Sequence, residues 1–277
     1  ELTANFRFNL ELNGKSHNLS PGEIRPLFHH PDTEIREKAF RIYYQKYAEA
    51  RIPLTHCFQN VWRDHGQNVI LRKYPSTMTG AHIRNQTDET IITTMMDVVV
   101  KNYSLVQRYY QSKAQFLGQE KQLKGSDLYA PIGVPKQYTW EEAIQLVIAA
   151  YTEFDPELGS MVQTFISKKR IDYEIRASKM TGAFCMSINP QLDPVIHLSF
   201  DGTLNGVNTL AHEIGHAIHD LLAGSAQTFL NYAPPLVTAE TASVFGEQLL
   251  IHKFLSSITD KKQQLQLLSQ QLEDAIT

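Results

Sequence analysis

The segment His212-Glu213-Ile214-Gly215-His216 places two imidazoles and a carboxylate within one stretch of chain, and residues from Val207 to Leu222 carry a helical period. On a helix, positions i and i+4 lie one turn apart on one face, so His212 and His216 can both reach a single tetrahedral zinc at about 2 Å. Glu213 is turned from His212 by about 100° and faces the remaining position. A carboxylate there can take a proton from an activated water and pass it to a leaving amine, which is peptide hydrolysis without a covalent intermediate. Two satisfied histidines on an ordinary helix would give the same pentapeptide, so a third ligand has to be found.

A metzincin would need glycine at position 219 and histidine at 222, but the chain has His219 and Leu222. Asp220 lies about 12 Å along a straight helix from His212, and His219 about 10 Å, too far to share one ion with it. Both are assigned to bracing the ligands or to structure. Glu240 is the better candidate, inside Val237-Thr-Ala-Glu-Thr-Ala-Ser-Val-Phe-Gly-Glu247, where Ala239, Ala242 and Ser243 let a second helix come close. Two antiparallel helices would then offer His212, His216 and Glu240 to one zinc per chain. Glu247, two turns further on, either braces a ligand histidine or points to solvent.

These residues need a scaffold. Phe6, Phe8, Leu10 and Leu12 alternate with polar residues and run into Asn13-Gly14, which predicts a β-hairpin. Ile35, Ala39, Tyr43 and Tyr47 then mark a helix face. One long helix is expected from Asp88 to Leu117, where Ile92, Met96, Val99, Tyr103, Val106 and Tyr110 form a stripe that needs a partner helix. A polar stretch with Gly125, Pro131, Gly133 and Pro135 marks a boundary, giving a hairpin and helical lobe over 1–120 and a zinc-binding region over 121–277. In the second region Thr139 to Glu142 reads as a capping box, and Asp155-Pro156 as a helix start. Strands are expected at 182–188 and 195–200, then helices at about 205–222, 236–257 and 261–275. Either strand could pair with an extended peptide, and proximity favours the one that begins at Gly182 and Ala183.

The formal net charge is −3, from 26 basic and 29 acidic residues spread along the chain, which argues against nucleic acid or an anionic membrane as partner. Cys57 and Cys185 are far apart and read as two buried thiols in a reducing compartment. No run is apolar enough for a membrane span, and the first residues lack a signal peptide's features. The expected location is cytoplasmic.

Three segments, Lys179-Met-Thr-Gly-Ala-Phe-Cys185, Thr209-Leu-Ala-His-Glu-Ile-Gly-His-Ala-Ile-His219 and Ala239-Glu-Thr-Ala-Ser-Val-Phe-Gly-Glu247, resemble the oligoendopeptidase F branch of the thimet oligopeptidase-like zinc peptidases. With Arg72-Lys-Tyr-Pro-Ser76 and Asp127-Leu-Tyr-Ala-Pro131 the similarity runs through nearly the whole chain. The resemblance implies zinc on His212, His216 and Glu240, with Glu213 as general base. It implies a mostly α fold, a helical zincin-type core with a small β element beside the His212 helix, and a deep channel for short unfolded peptides. Full members of that family are about twice as long and continue past the zinc-binding glutamate into a helical region that contacts substrate and stabilises the oxyanion. Residues 241–277 hold no such segment. The chain is therefore expected to be truncated at its C-terminal end, with the rest of a longer polypeptide as its partner. The remaining alternative is a non-catalytic helical module held together by metal. Tyr232 is assigned to the core or a loop rather than to the oxyanion site.

Overall fold

The computed structural model describes residues 2–12, 14–119, 122–133 and 135–276. Strands β1 (Phe8–Leu12) and β2 (Lys15–Leu19) form the expected antiparallel hairpin, with Leu12 opposite Lys15. Asn13 of the predicted turn lies outside the described residues. Gly14 has φ +73°, the left-handed conformation a tight hairpin turn demands. Alternation sends Phe8 and Leu10 inward, where they meet Phe6, Ile24, Phe28 and Ala39 beneath α1 (Pro21–Ile24) and α2 (Thr33–Glu49). Tyr43 and Tyr47 of α2 lie against Phe8 and Phe6, with ring centroids 5.3 Å apart in each pair.

Helices α3 (Arg51–Leu71), α4 (Thr79–Arg84), α5 (Glu89–Lys101) and α6 (Tyr103–Phe116) follow. The single helix expected from Asp88 to Leu117 is two, because Asn102 leaves the helical conformation at φ −100°, ψ 5°. Its side-chain Nδ2 donates to the Val98 carbonyl at 2.7 Å, the local competition that makes asparagine a poor interior helix residue. The part of the stripe on α5 also has no partner helix among the described residues: α5 buries none of its side chains, and Met96 and Val99 are about half exposed. Cys57 is exposed on α3, which likewise buries nothing, so the expectation of two buried thiols fails for it.

Two ionic ties join residues on either side of position 120. Arg36 on α2 holds the fully buried Asp127 through Nε at 2.9 Å and a terminal nitrogen at 2.6 Å. Lys113 on α6 reaches Glu273 at 2.7 Å on α11 (Lys261–Ile276), where Tyr109 also donates to the Ser269 carbonyl at 3.0 Å.

The larger core is built by α7 (Trp140–Phe154), α8 (Pro156–Ser167), a three-stranded sheet, α9 (Leu204–Ala226) and α10 (Leu236–Ser257). Thr139 and Glu142 form the capping box of α7, and the Asp155 carboxylate caps α8 ahead of Pro156. The sheet is β3 (Ile171–Asp172), β4 (Ala183–Met186) and β5 (Val195–Leu198), in the order β3-β5-β4. β5 is central, parallel to β3 and antiparallel to β4. The extra strand β3 is too short to leave any alternation in the sequence. Val147, Phe165, Ile196, Leu198, Leu210 and Ile214 fill the space between sheet and helices at 2% exposure or less. The fold is mostly helical with few strands, and no helix among the described residues is long and apolar enough to cross a membrane.

Candidate metal centre

Helix α9 starts at Thr203, whose side chain accepts the Gly206 N–H, and buries Val207, Leu210, Ala211, Ile214, Ala217 and Ile218 against the larger core. Burying that stripe leaves His212 and His216 on the opposite flank, one turn apart, with ring centroids 4.8 Å apart and planes at 82°. Helix α10 crosses antiparallel to α9 at very short range. A Cβ on Gly215 would stand 2.5 Å from the Ala242 carbonyl oxygen, and one on Gly246 would stand 2.6 Å from that of Ala211. Glycine at both positions is what lets the backbones touch. That crossing carries Glu240 to the two imidazoles.

The donor atoms form a small triangle. Nε2 of His212 and Nε2 of His216 are 3.2 Å apart, and Glu240 Oε2 is 3.4 Å from the first and 3.6 Å from the second. A tetrahedral ion bound at about 2.0–2.1 Å keeps its donor atoms roughly 3.3–3.4 Å apart, so the spacing and the nitrogen and carboxylate donors both fit zinc. Among the described residues this is the one such group of three. His219 and Asp220 are not in it.

The surroundings hold these donors in place. Glu247 Oε1 lies 2.5 Å from His212 Nδ1. A carboxylate only accepts, so the Nδ1 carries the proton and the Nε2 lone pair is turned into the triangle. Glu247 is thus hydrogen-bonded to His212 rather than left to solvent. Ser243, fully buried and one turn past Glu240, donates to Glu240 Oε2 at 2.9 Å. Asp220 accepts from Ser187 Oγ and lies 4.0 Å from the Cys185 sulfur, which ties the end of α9 to β4. Tyr232 is buried at 7% exposure and hydrogen-bonded to Ser187, so it packs in the loop ahead of α10.

Electrostatics separate the two imidazoles. Burial alone would lower His212, but the Glu247 hydrogen bond and the charges of Glu213, Glu247 and Glu240 outweigh it and raise its pKa. His216 is lowered, first by burial and then by the neighbouring His212. Glu213 is 4% exposed, and burial pushes its carboxyl up to about 7. His212 opposes that shift, Glu240 adds to it, and the Cys185 backbone N–H of β4, donating to the carboxylate, offsets part of it. Its Oε2 is buried with no partner. Burial also pushes the Cys185 thiol up, and the negative charges of Asp220 and Glu213 add to that shift. Beside the site opens a cavity of about 890 Å³, lined by Thr181, Gly182, Ala183, His212, Glu213 and Glu247 among others. Gly182 has φ +92° and turns the chain into β4.

Four contributors escaped the sequence reading: Asn208, which touches Glu247, Ser243 as an orienting donor, the Cys185 amide, and Gly246. Ser243 and Asn208 lie on the ligand faces, one turn from Glu240 and His212, a spacing that could have singled them out. Nothing local marks the amide.

Residues 27–277 match the profile of Peptidase family M3. Oligoendopeptidase F, chromosomal, of Lactococcus lactis subsp. cremoris is 24% identical over 261 residues, covering 94% of this chain and 43% of that protein. An oligoendopeptidase F homolog of Borreliella burgdorferi is 26% identical over 251 residues, 89% of this chain and 42% of that protein. In solved structures the same fold occurs in PZ peptidase A with inhibitor 2, with a TM-score of 0.86 at 18% identity over 99% of this chain and 49% of the other. The chain thus spans less than half the length of these relatives. With the match running through both helical regions and the metal centre, the chain belongs to peptidase family M3.

Proposed function

We propose that the protein is a zinc-dependent endopeptidase acting on short peptides, with His212, His216 and Glu240 holding one zinc and Glu213 serving as general base. The observation that carries this reading is the 3.2–3.6 Å triangle of donor atoms with the unpaired Oε2 of Glu213 buried beside it. Zinc held there supplies Lewis acidity, bringing the pKa of a water toward about 7 and polarising a peptide carbonyl. Glu213 accepts the water proton on Oε2 and delivers it to the departing amine. Gly182 and Ala183 stand at the cavity edge of β4. Since β5 is flanked on both sides, β4 is the better of the two strands to take an extended peptide by pairing. The names of the relatives, oligoendopeptidase F, support the same substrate class.

The test uses the full-length protein, zinc analysis by mass spectrometry and a set of quenched-fluorescent peptides. Glu213→Gln should keep its zinc and lose hydrolysis by at least about a hundredfold, while His216→Ala should lose both. Hydrolysis by Glu213→Gln at the wild-type rate would refute the mechanism. Full-length protein that binds zinc yet cleaves none of the peptides would favour a metal-stabilised helical module instead.

A further inference from the structure

Resting on the zinc-site reading above, we propose that Asn208 is a positioning residue that sets the orientation of the Glu247 carboxylate, and through it the imidazole of His212. Asn208 lies one turn before His212 on α9 and is 7% exposed. Its Nδ2 donates to Glu247 Oε2 at 3.1 Å while Glu247 Oε1 takes the His212 Nδ1 proton at 2.5 Å. Each carboxylate oxygen thus has its own donor, and the plane of the carboxylate is set from two sides. The amide orientation follows from chemistry: turning it over would set Oδ1 against a carboxylate oxygen.

The other end of the side chain shows what this arrangement costs. Oδ1 of Asn208 is buried and has no hydrogen-bond partner. A buried acceptor without a donor is unfavourable, so an apolar side chain of the same size would suit the packing better. A residue present only for stability would not be an asparagine here. Its one satisfied group points along the chain Asn208, Glu247, His212. Partners two bonds removed from a metal are worth about 10–100-fold in affinity, and a residue one step further out should stand at the lower end.

The experiment is zinc affinity of the full-length protein, read by competition with a chromogenic chelator, together with thermal melting of the metal-free form. Asn208→Leu should bind zinc about tenfold more weakly, while its metal-free melting temperature stays equal to wild type or rises. A merely structural residue would show the reverse, a lower melting temperature with unchanged affinity, and that result overturns the proposal. Asn208→Asp keeps the shape, so it guards against a packing defect in the leucine variant. It sets an anion against Glu247 and should weaken zinc at least as much. Wild-type affinity in either folded variant also overturns the proposal. His216→Ala run in parallel must lose zinc; if it does not, the metal-site reading itself is wrong, whatever Asn208 does.

Discussion

Replacing Glu213 should stabilise the metal-free protein, and only above a certain pH. Burial raises Glu213 from its ordinary value of 4.5 to about 7. At about 1.4 kcal/mol per pH unit, that disfavours the ionised carboxylate in the fold by about 3 kcal/mol. The sign follows from proton binding. The folded chain holds this proton more tightly than the unfolded one, so the favourable contribution is complete below pH 4.5 and is lost as the pH rises through about 7. A glutamine cannot ionise and escapes the loss. The glutamine amide and the protonated carboxyl can both accept the Cys185 N–H; the amide leaves two buried N–H donors unpaired where the protonated carboxyl leaves one O–H, an offset that does not change with pH. The stability of metal-free Glu213→Gln relative to wild type should therefore rise by about 3 kcal/mol between pH 4.5 and pH 8. At about 2–4 °C per kcal/mol, that is a rise in Tm of roughly 6–12 °C. Melting both forms by circular dichroism in chelator across that range gives the difference directly, and groups common to the two proteins cancel. Adding zinc should shrink the gap, because a cation among the three donors favours the carboxylate. A difference in Tm that is the same at pH 4.5 and pH 8 would refute the account of Glu213 as a carboxyl strained by burial.

Two further expectations concern the scaffold. Gly215→Ala places a Cβ 2.5 Å from the Ala242 oxygen and 2.8 Å from the Ser243 Cα, both backbone atoms that cannot step aside. It should cost about 2–3 kcal/mol and release zinc as α10 moves Glu240 away. Gly66→Ala meets nothing within 4 Å, and melting curves should show it neutral or slightly stabilising. Arg36→Ala strands the buried Asp127 carboxylate with Gln119 as its one remaining side-chain donor among the described residues, which should lower stability by about 3–5 kcal/mol in denaturant unfolding. Lys124→Ala breaks an exposed pair with Glu37 and should leave unfolding unchanged; equal effects from the two would contradict the burial argument.

What could be read from the sequence was whatever repeats along one element. The helical stripe of α9, the capping box at Thr139, the Asp155-Pro156 start and the alternating strand β1 each express a local period or a local hydrogen bond, and the structure shows each of them. The failures have a common physical origin. The break at Asn102 depends on one side chain competing for a backbone carbonyl, which the apolar stripe running through it conceals. Cys57 is exposed because α3 buries nothing, and burial belongs to what an element packs against rather than to its own residues. Glu247 shows the limit most clearly. Its offset from Glu240 put it on a suitable face, but whether it met a histidine or water depended on where α10 crosses α9. That register is set by Gly215 against Ala242 and by Gly246 against Ala211, two contacts between segments more than twenty residues apart. Once the crossing is fixed and antiparallel, position 247 must fall beside 212 and 208, and the link from Asn208 to the imidazole follows from it. A histidine pair within one helix is therefore legible as a motif, whereas the residues that orient it become visible only when the second helix has been docked.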